Sequence, residues 1–452
     1  MSAGLEAARA EFINAAFWHG RLEAANAVLA AHPDIAGSDI HIAAMLGDDA
    51  AVRRFLADDT GLATQKGGPR NVEPLIHLCF SCYLREDRAR SDAFVRAATA
   101  LLDAGADPNG GFFDESHTPN PEWESALYGA SGVAFHPGVT RLLLERGANP
   151  NDEEVPYHSP ETWENDAFRL LLESGKLNAD SLNMMLLRKT DWHDLEGVRL
   201  VLDHGADVNR MSRWGKTALH NAILSDNRLA IVELLLDRGA EPNIVAKDLR
   251  HGGSFRPGRS STSLAARRGR ADVLAAIEKR GISIALEGVD RLIAACARAD
   301  GGAVREIAHR EPGLVSQVLA EGGTLLAEFS GTGNAGGVEQ LLDLGVPVDA
   351  RYRGDPYMGI ARDSTALHVA AWRMSDDALA LLTVRGAEVN ARDAGGRTPL
   401  MLAVKACVDS YWTQRRSPRA VRTLLAAGAD THGVQYPSGY DEVDALLKAR
   451  AG

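Results

Sequence analysis

Helix-like apolar stretches along this chain end, eight times, in a leucine-rich turn, a spacer, a glycine and a polar tail. The fullest copy is Leu101-Leu102-Asp103-Ala104-Gly105-Ala106-Asp107-Pro108-Asn109. Others are Gly147-Ala148-Asn149-Pro150-Asn151, Gly205-Ala206-Asp207-Val208-Asn209, Gly239-Ala240-Glu241-Pro242-Asn243, Gly386-Ala387-Glu388-Val389-Asn390 and Gly428-Ala429-Asp430, with looser copies at Gly281 and Gly345. Leucines close a helix against a core, glycine supplies a left-handed C-cap, and Asp/Asn favour the tight turn that follows. One such unit cannot bury its own apolar face, so only stacking stabilises it.

A second block precedes the leucines in four copies. These are Thr217-Ala218-Leu219-His220-Asn221-Ala222, Thr365-Ala366-Leu367-His368-Val369-Ala370, Thr398-Pro399-Leu400-Met401-Leu402-Ala403 and the degraded Ser38-Asp39-Ile40-His41-Ile42-Ala43-Ala44. Thr suits the N-cap of a helix, and the alanines that follow permit close approach to a neighbouring helix. Together the two blocks resemble the ankyrin repeat. The resemblance runs over nearly the whole chain and is strongest in 101–151, 200–245 and 341–432. It implies an all-α ankyrin-repeat solenoid with long hairpin or finger loops.

The spacing departs from the family period of about 33 residues. Marker glycines lie 42 residues apart from Gly105 to Gly147, 34 from Gly205 to Gly239, and 42 from Gly386 to Gly428. The longer gaps hide degenerate units ending at Gly175 and near Pro312. Roughly eleven helix-turn-helix units are expected, with roughly ninety residues of insertion. The expected organisation is a single elongated domain over 1–452: degenerate repeats in 1–68, central repeats with long acidic fingers in 69–250, divergent repeats in 251–350, and C-terminal repeats with a cap in 351–452.

Composition narrows the function classes. A net charge of −12 argues against general nucleic-acid binding, which needs a basic footprint. The N-terminus lacks a signal-peptide pattern, no apolar run approaches a membrane span, and four cysteines in so long a chain suit a reducing compartment. A cytoplasmic location is expected. Charge is unevenly placed: residues 112–166 hold eleven acids against Arg141 and Arg146, and 247–280 hold nine Lys/Arg against three acids. Opposed patches of this kind steer a charged partner.

In the ankyrin fold, as the resemblance implies, partners are held by the fingers and by the exposed end of each inner helix. Those positions here hold Trp18 beside Phe17, then Glu122, Trp123 and Glu124 before Tyr128, then Arg213, Trp214 and Lys216, and finally Trp372 and Arg373. Trp and Arg are enriched at binding hot spots. Long fingers at 110–124, 152–164, 246–261 and 350–363 add Tyr157, His158, His117, His251 and Tyr352. Insertions at 83–91 and 408–418 lie at the opposite end of their units and are read as packing extensions.

Chemical motifs are weak. Asp191-Trp192-His193-Asp194 falls at a helix–helix turn and is read as surface. His41, His220 and His368 occupy the repeat's own histidine position, where the resemblance implies backbone hydrogen bonds between loops. Cys79-Phe80-Ser81-Cys82 is a lone CxxC without the second ligand pair that a structural zinc site uses. Gly331-Thr332-Gly333-Asn334-Ala335-Gly336 matches GxGxxG but lies between helices rather than after a strand. No cofactor and no metal are expected. The expectation is a binding protein that grips another protein or a polar small molecule, with neither nucleic acid nor membrane as partner. The alternative is a small-molecule binder or metal-free enzyme with Glu124, Glu154 and His158 as acid–base groups.

Overall fold

A computed structural model describes residues 3–116, 118–247, 258–410 and 416–451. His117, the basic finger residues Arg250, His251 and Arg256, and residues 411–415 of the 408–418 insertion lie outside these. The chain divides into two compact units, residues 1–212 with 237–240 and residues 213–236 with 241–452.

Both units are built of helix pairs, and the described residues contain one two-stranded sheet. In unit 1 the helix Ile40–Leu46 pairs with Asp49–Asp58, and Ala179–Asp191 with Leu195–Asp203. In unit 2 the helix Ser261–Arg267 pairs with Ala271–Lys279, and Ala366–Trp372 with Asp376–Val384. No helix among the described residues is long and apolar enough to cross a membrane.

Each repeat residue has a visible mechanical role. Thr217 and Thr398 cap their helices through the backbone N–H groups of His220 and Met401. The leucine turns Leu142–Leu144 and Leu234–Leu236 are buried. Gly105, Gly205 and Gly386 follow such turns with φ of 103°, 88° and 84°, a region that L side chains enter only with strain.

The tail asparagine clamps one repeat to the next. Asn109 accepts from the backbone N–H of Asn149 at 2.9 Å, and Asn390 from that of Asp430 at 2.8 Å. The amide of Asn209 donates to the Gly239 carbonyl at 2.9 Å, and that of Asn390 to the Gly428 carbonyl at 3.3 Å. The repeat histidines bridge loops in the same way. The Nε2 atoms of His41, His220 and His368 lie 2.9, 3.3 and 3.0 Å from the carbonyls of Gln65, Arg259 and Arg397.

The weak motifs settle into structure. All four cysteines are buried, and burial pushes the Cys82 thiol up to about 11. The GxGxxG stretch is a turn in which Thr332 donates to the Arg268 carbonyl at 2.9 Å, and Asn334 to those of Gly269 and Ala297 at 2.7 Å each. The Asp191–Asp194 turn is less superficial than its sequence suggests. Asp194 is buried against the fully buried Lys189, with Nζ to Oδ2 at 2.9 Å, because it caps the next helix from inside the core.

Candidate functional site

The finger at 110–125 carries the one sheet, strands β1 (Gly111–Asp114) and β2 (Glu122–Ser125), antiparallel with Phe112 opposite Glu124, Phe113 opposite Trp123 and Asp114 opposite Glu122. Alternation then sorts the side chains onto two faces. Gly111 is required at the base, because a Cβ there would stand 2.4 Å from the Glu124 carbonyl oxygen.

The outer face is an aromatic pair open to solvent. Phe113 and Trp123 are 62% and 37% exposed, with ring centroids 4.9 Å apart. The inner face begins with Phe112, whose ring centroid lies 5.6 Å from Phe17, 5.6 Å from Trp18 and 5.2 Å from Phe80. Tyr128 extends this aromatic cluster, 5.7 Å from Phe80 and 5.2 Å from His158. It is set there by the Ser125 cap and by the π-helical turn Gly129–Val133 that follows.

Carboxylates gather beside these rings. Glu122 and Glu124 come from β2, and Glu154 opens the helix Glu154–His158, capped by Asp152 through the Val155 N–H. One oxygen from each of the three glutamates lies within 4.8 Å of the others. Glu124 is 1% exposed, and its Oε2 has no hydrogen-bond partner. Burial, then the neighbouring Glu154, Asp114 and Glu122 charges, push its carboxyl up to about 8.

His158 sits one helical turn after Glu154, so both project from one side of the helix. Its Nε2 lies 3.1 Å from Glu154 and its Nδ1 2.8 Å from Glu161. Burial alone would lower the imidazole, but these two acceptors hold it at about 9. Glu161 also pairs with Arg188, which lies 4.2 Å from the Tyr157 ring centroid and 2.7 Å from Asp191. The result is an alternating chain of charges running from Glu154 to Asp191.

Glu122, Glu124, Tyr128, Glu154, Tyr157 and His158 therefore converge in unit 1. Trp18 joins them as a buried member of the aromatic cluster, and Trp123 faces the other way. Arg213, Trp214 and Lys216 belong to unit 2, where the Arg213 guanidinium lies 4.8 Å from the Trp214 ring centroid.

Tyr352 and Arg373, also in unit 2, are buried in it, and Trp372 is half-buried beside them. The Tyr352 hydroxyl lies 3.1 Å from Glu328, the Trp372 indole donates to the Met358 carbonyl at 2.8 Å, and Arg373 is buried on Asp226. Asp226 also takes Arg268, which reaches Glu328 at 2.8 Å. A polar cavity of about 420 Å³ adjoins this cluster, lined among others by Asp226, Arg270, Thr332, Arg373, Asp376 and Arg419. Three arginines of the basic segment are thus taken up within the unit. Arg267 binds Asp290 and Glu321, and Arg270 binds Asp272.

A family model described as ankyrin repeats in three copies matches residues 165–246, and one described as a single ankyrin repeat matches 362–394. The chain contains ankyrin repeats. Such repeats serve as scaffolds for protein binding. Among curated relatives, an L-asparaginase of Dirofilaria immitis is 30% identical over 133 residues, 26% of this chain and 21% of that protein. Serine/threonine-protein kinase 12 of Arabidopsis thaliana is 38% identical over 84 residues, 19% of this chain and 17% of that protein. The ankyrin chain thus spans about a fifth of the length of these relatives. The human ASB11 ankyrin repeat domain, a solved structure, is 22% identical, with 54% of this chain and 98% of that one covered at a TM-score of 0.23.

Phe113, Phe80, Glu161 and Arg188 escaped the sequence reading. For Phe113 a signal existed: strand alternation within 110–124 places it beside Trp123. Glu161 meets His158 three residues away, but its pairing with Arg188, like the contacts of Phe80, joins segments distant in sequence.

Proposed function

We propose that this ankyrin-repeat chain binds a partner protein through the outer face of the β1–β2 hairpin, with Phe113 and Trp123 as anchors. The exposed, mutually packed aromatic pair carries this reading. It offers a large rigid apolar area on a short, two-stranded support, at low cost in side-chain entropy. The acidic run around it selects a basic partner. Arg213 and Trp214 form a second candidate contact in unit 2. Tyr352, Trp372 and Arg373 support the scaffold from within rather than reading a partner.

Panning a displayed peptide library against the full chain tests this. Enriched peptides should combine basic residues with an apolar anchor. Phe113→Ala and Trp123→Ala should each weaken the best of them by about 30-fold, the size of a hot-spot loss of about 2 kcal/mol. Equal affinity for wild type and Trp123→Ala would remove the hairpin from the binding surface.

A further inference from the structure

The inner face of the hairpin holds an arrangement that partner binding on the outer face does not use. Glu122, Glu124 and Glu154 each bring one oxygen into a group in which no two of these atoms are more than 4.8 Å apart. Three oxygens at that spacing can face one centre at little more than the oxygen–calcium distance of about 2.3–2.6 Å. Clustered acids are ordinary on surfaces, but Glu124 is not on the surface. It is 1% exposed, one of its oxygens belongs to the cluster, and its Oε2 has no hydrogen-bond donor. A buried acceptor without a donor is costly, and a cation would relieve it.

We propose that Glu122, Glu124 and Glu154 form a binding site for a hard divalent cation, with calcium as the type ion. The donor set is all carboxylate oxygen, which suits calcium, magnesium or manganese rather than zinc or copper. The His158 imidazole is held by Glu154 and Glu161 and stands as an outer partner that orients Glu154. Glu122 is exposed, which gives an entry path and leaves coordination positions for water. Glu122 and Glu124 lie on β2, and Glu154 opens a helix of the following finger. The ion therefore staples the hairpin to the next repeat. A structure so stapled presents Phe113 and Trp123 on a stiffer support.

The test is titration of the chelator-stripped full chain with calcium by isothermal calorimetry, with magnesium and manganese as further arms. Trp123 adjoins two ligands, so terbium luminescence excited through tryptophan gives a second readout. One ion per chain is expected, with the apparent dissociation constant raised at least tenfold by Glu124→Gln and by Glu154→Gln. Calcium should also raise the melting temperature of wild type and not of these variants. Should Glu124→Gln fail to fold by circular dichroism, Glu122→Gln, at an exposed position, carries the same expectation. Trp123→Ala should leave the calorimetric calcium affinity unchanged while weakening peptide binding about 30-fold, which separates this site from the outer face. Absence of saturable binding up to about 5 mM, beyond the weakest calcium modules, overturns the proposal. So does binding that Glu124→Gln and Glu154→Gln leave unchanged, or a site that takes only lysine peptides.

Discussion

Side chains of one type divide sharply by where the fold places them. Trp18, Trp123 and Trp372 were all expected at partner-reading positions of the repeat, yet Trp18 is 7% exposed, Trp372 donates to a backbone carbonyl, and Trp123 remains on the surface. Glu124, Glu154 and His158 were legible as candidates because they stand in polar, aromatic-rich fingers. Their convergence was not legible, since it depends on the pairing of β2 with β1 and on the docking of the Glu154–His158 helix. Histidines divide as well. Burial, ahead of any other cause, depresses His77 to about 3, His136 to about 4 and His220 to about 4. These groups are neutral in the fold and take up a proton more readily when unfolded. Their contribution to stability is therefore complete above about 6.5, the ordinary imidazole value, and is lost as pH falls toward 4. Urea unfolding at pH 7 and pH 4.5 should show a smaller loss on acidification in His220→Gln than in wild type. An identical loss in both would mean that His220 is protonated in the folded chain.

At the level of elements, the repeat was the most readable feature, because each of its residues acts locally. Thr caps, leucine turns and C-terminal glycines operate within one helix pair, so sequence alone carries them. Gly386 illustrates the point: a Cβ there meets nothing within 4 Å, and its φ of 84° is the only demand on the position. Gly386→Ala should therefore cost about 1 kcal/mol through backbone strain alone, read as a shift in the urea midpoint. Gly386→Asn should recover part of the loss, because asparagine tolerates the left-handed region. The inter-repeat asparagine clamp was half legible. Asp/Asn suggested a turn, but the bond from Asn209 to the Gly239 carbonyl requires the next repeat to be in place. The finger at 110–124 was legible as long and aromatic, and the pairing of its two ends as β1 and β2 came only from the structure.

For the molecule as a whole, part of the charge counted along the chain is taken up inside its own unit. Arg267, Arg268 and Arg270 form the densest basic stretch, and each is tied to acids of its own unit. Asp226 receives Arg373 from 147 residues away as well as Arg268, and both arginines are buried with it. Removing the shared acid leaves two guanidiniums under-compensated in a low-dielectric interior. Asp226→Ala should destabilise unit 2 by about 3–5 kcal/mol, measured by urea unfolding, with Asp226→Asn losing less. A loss under about 1 kcal/mol would show that water reaches the cluster and screens it. By itself the sequence determined the ankyrin repeat, its caps and its turns, since those signals lie within one helix pair. Tertiary structure decided which tryptophans face solvent, which arginines are neutralised, and that three glutamates from two fingers meet. Those outcomes rest on contacts between residues tens to hundreds of positions apart, whose distances only stacking sets.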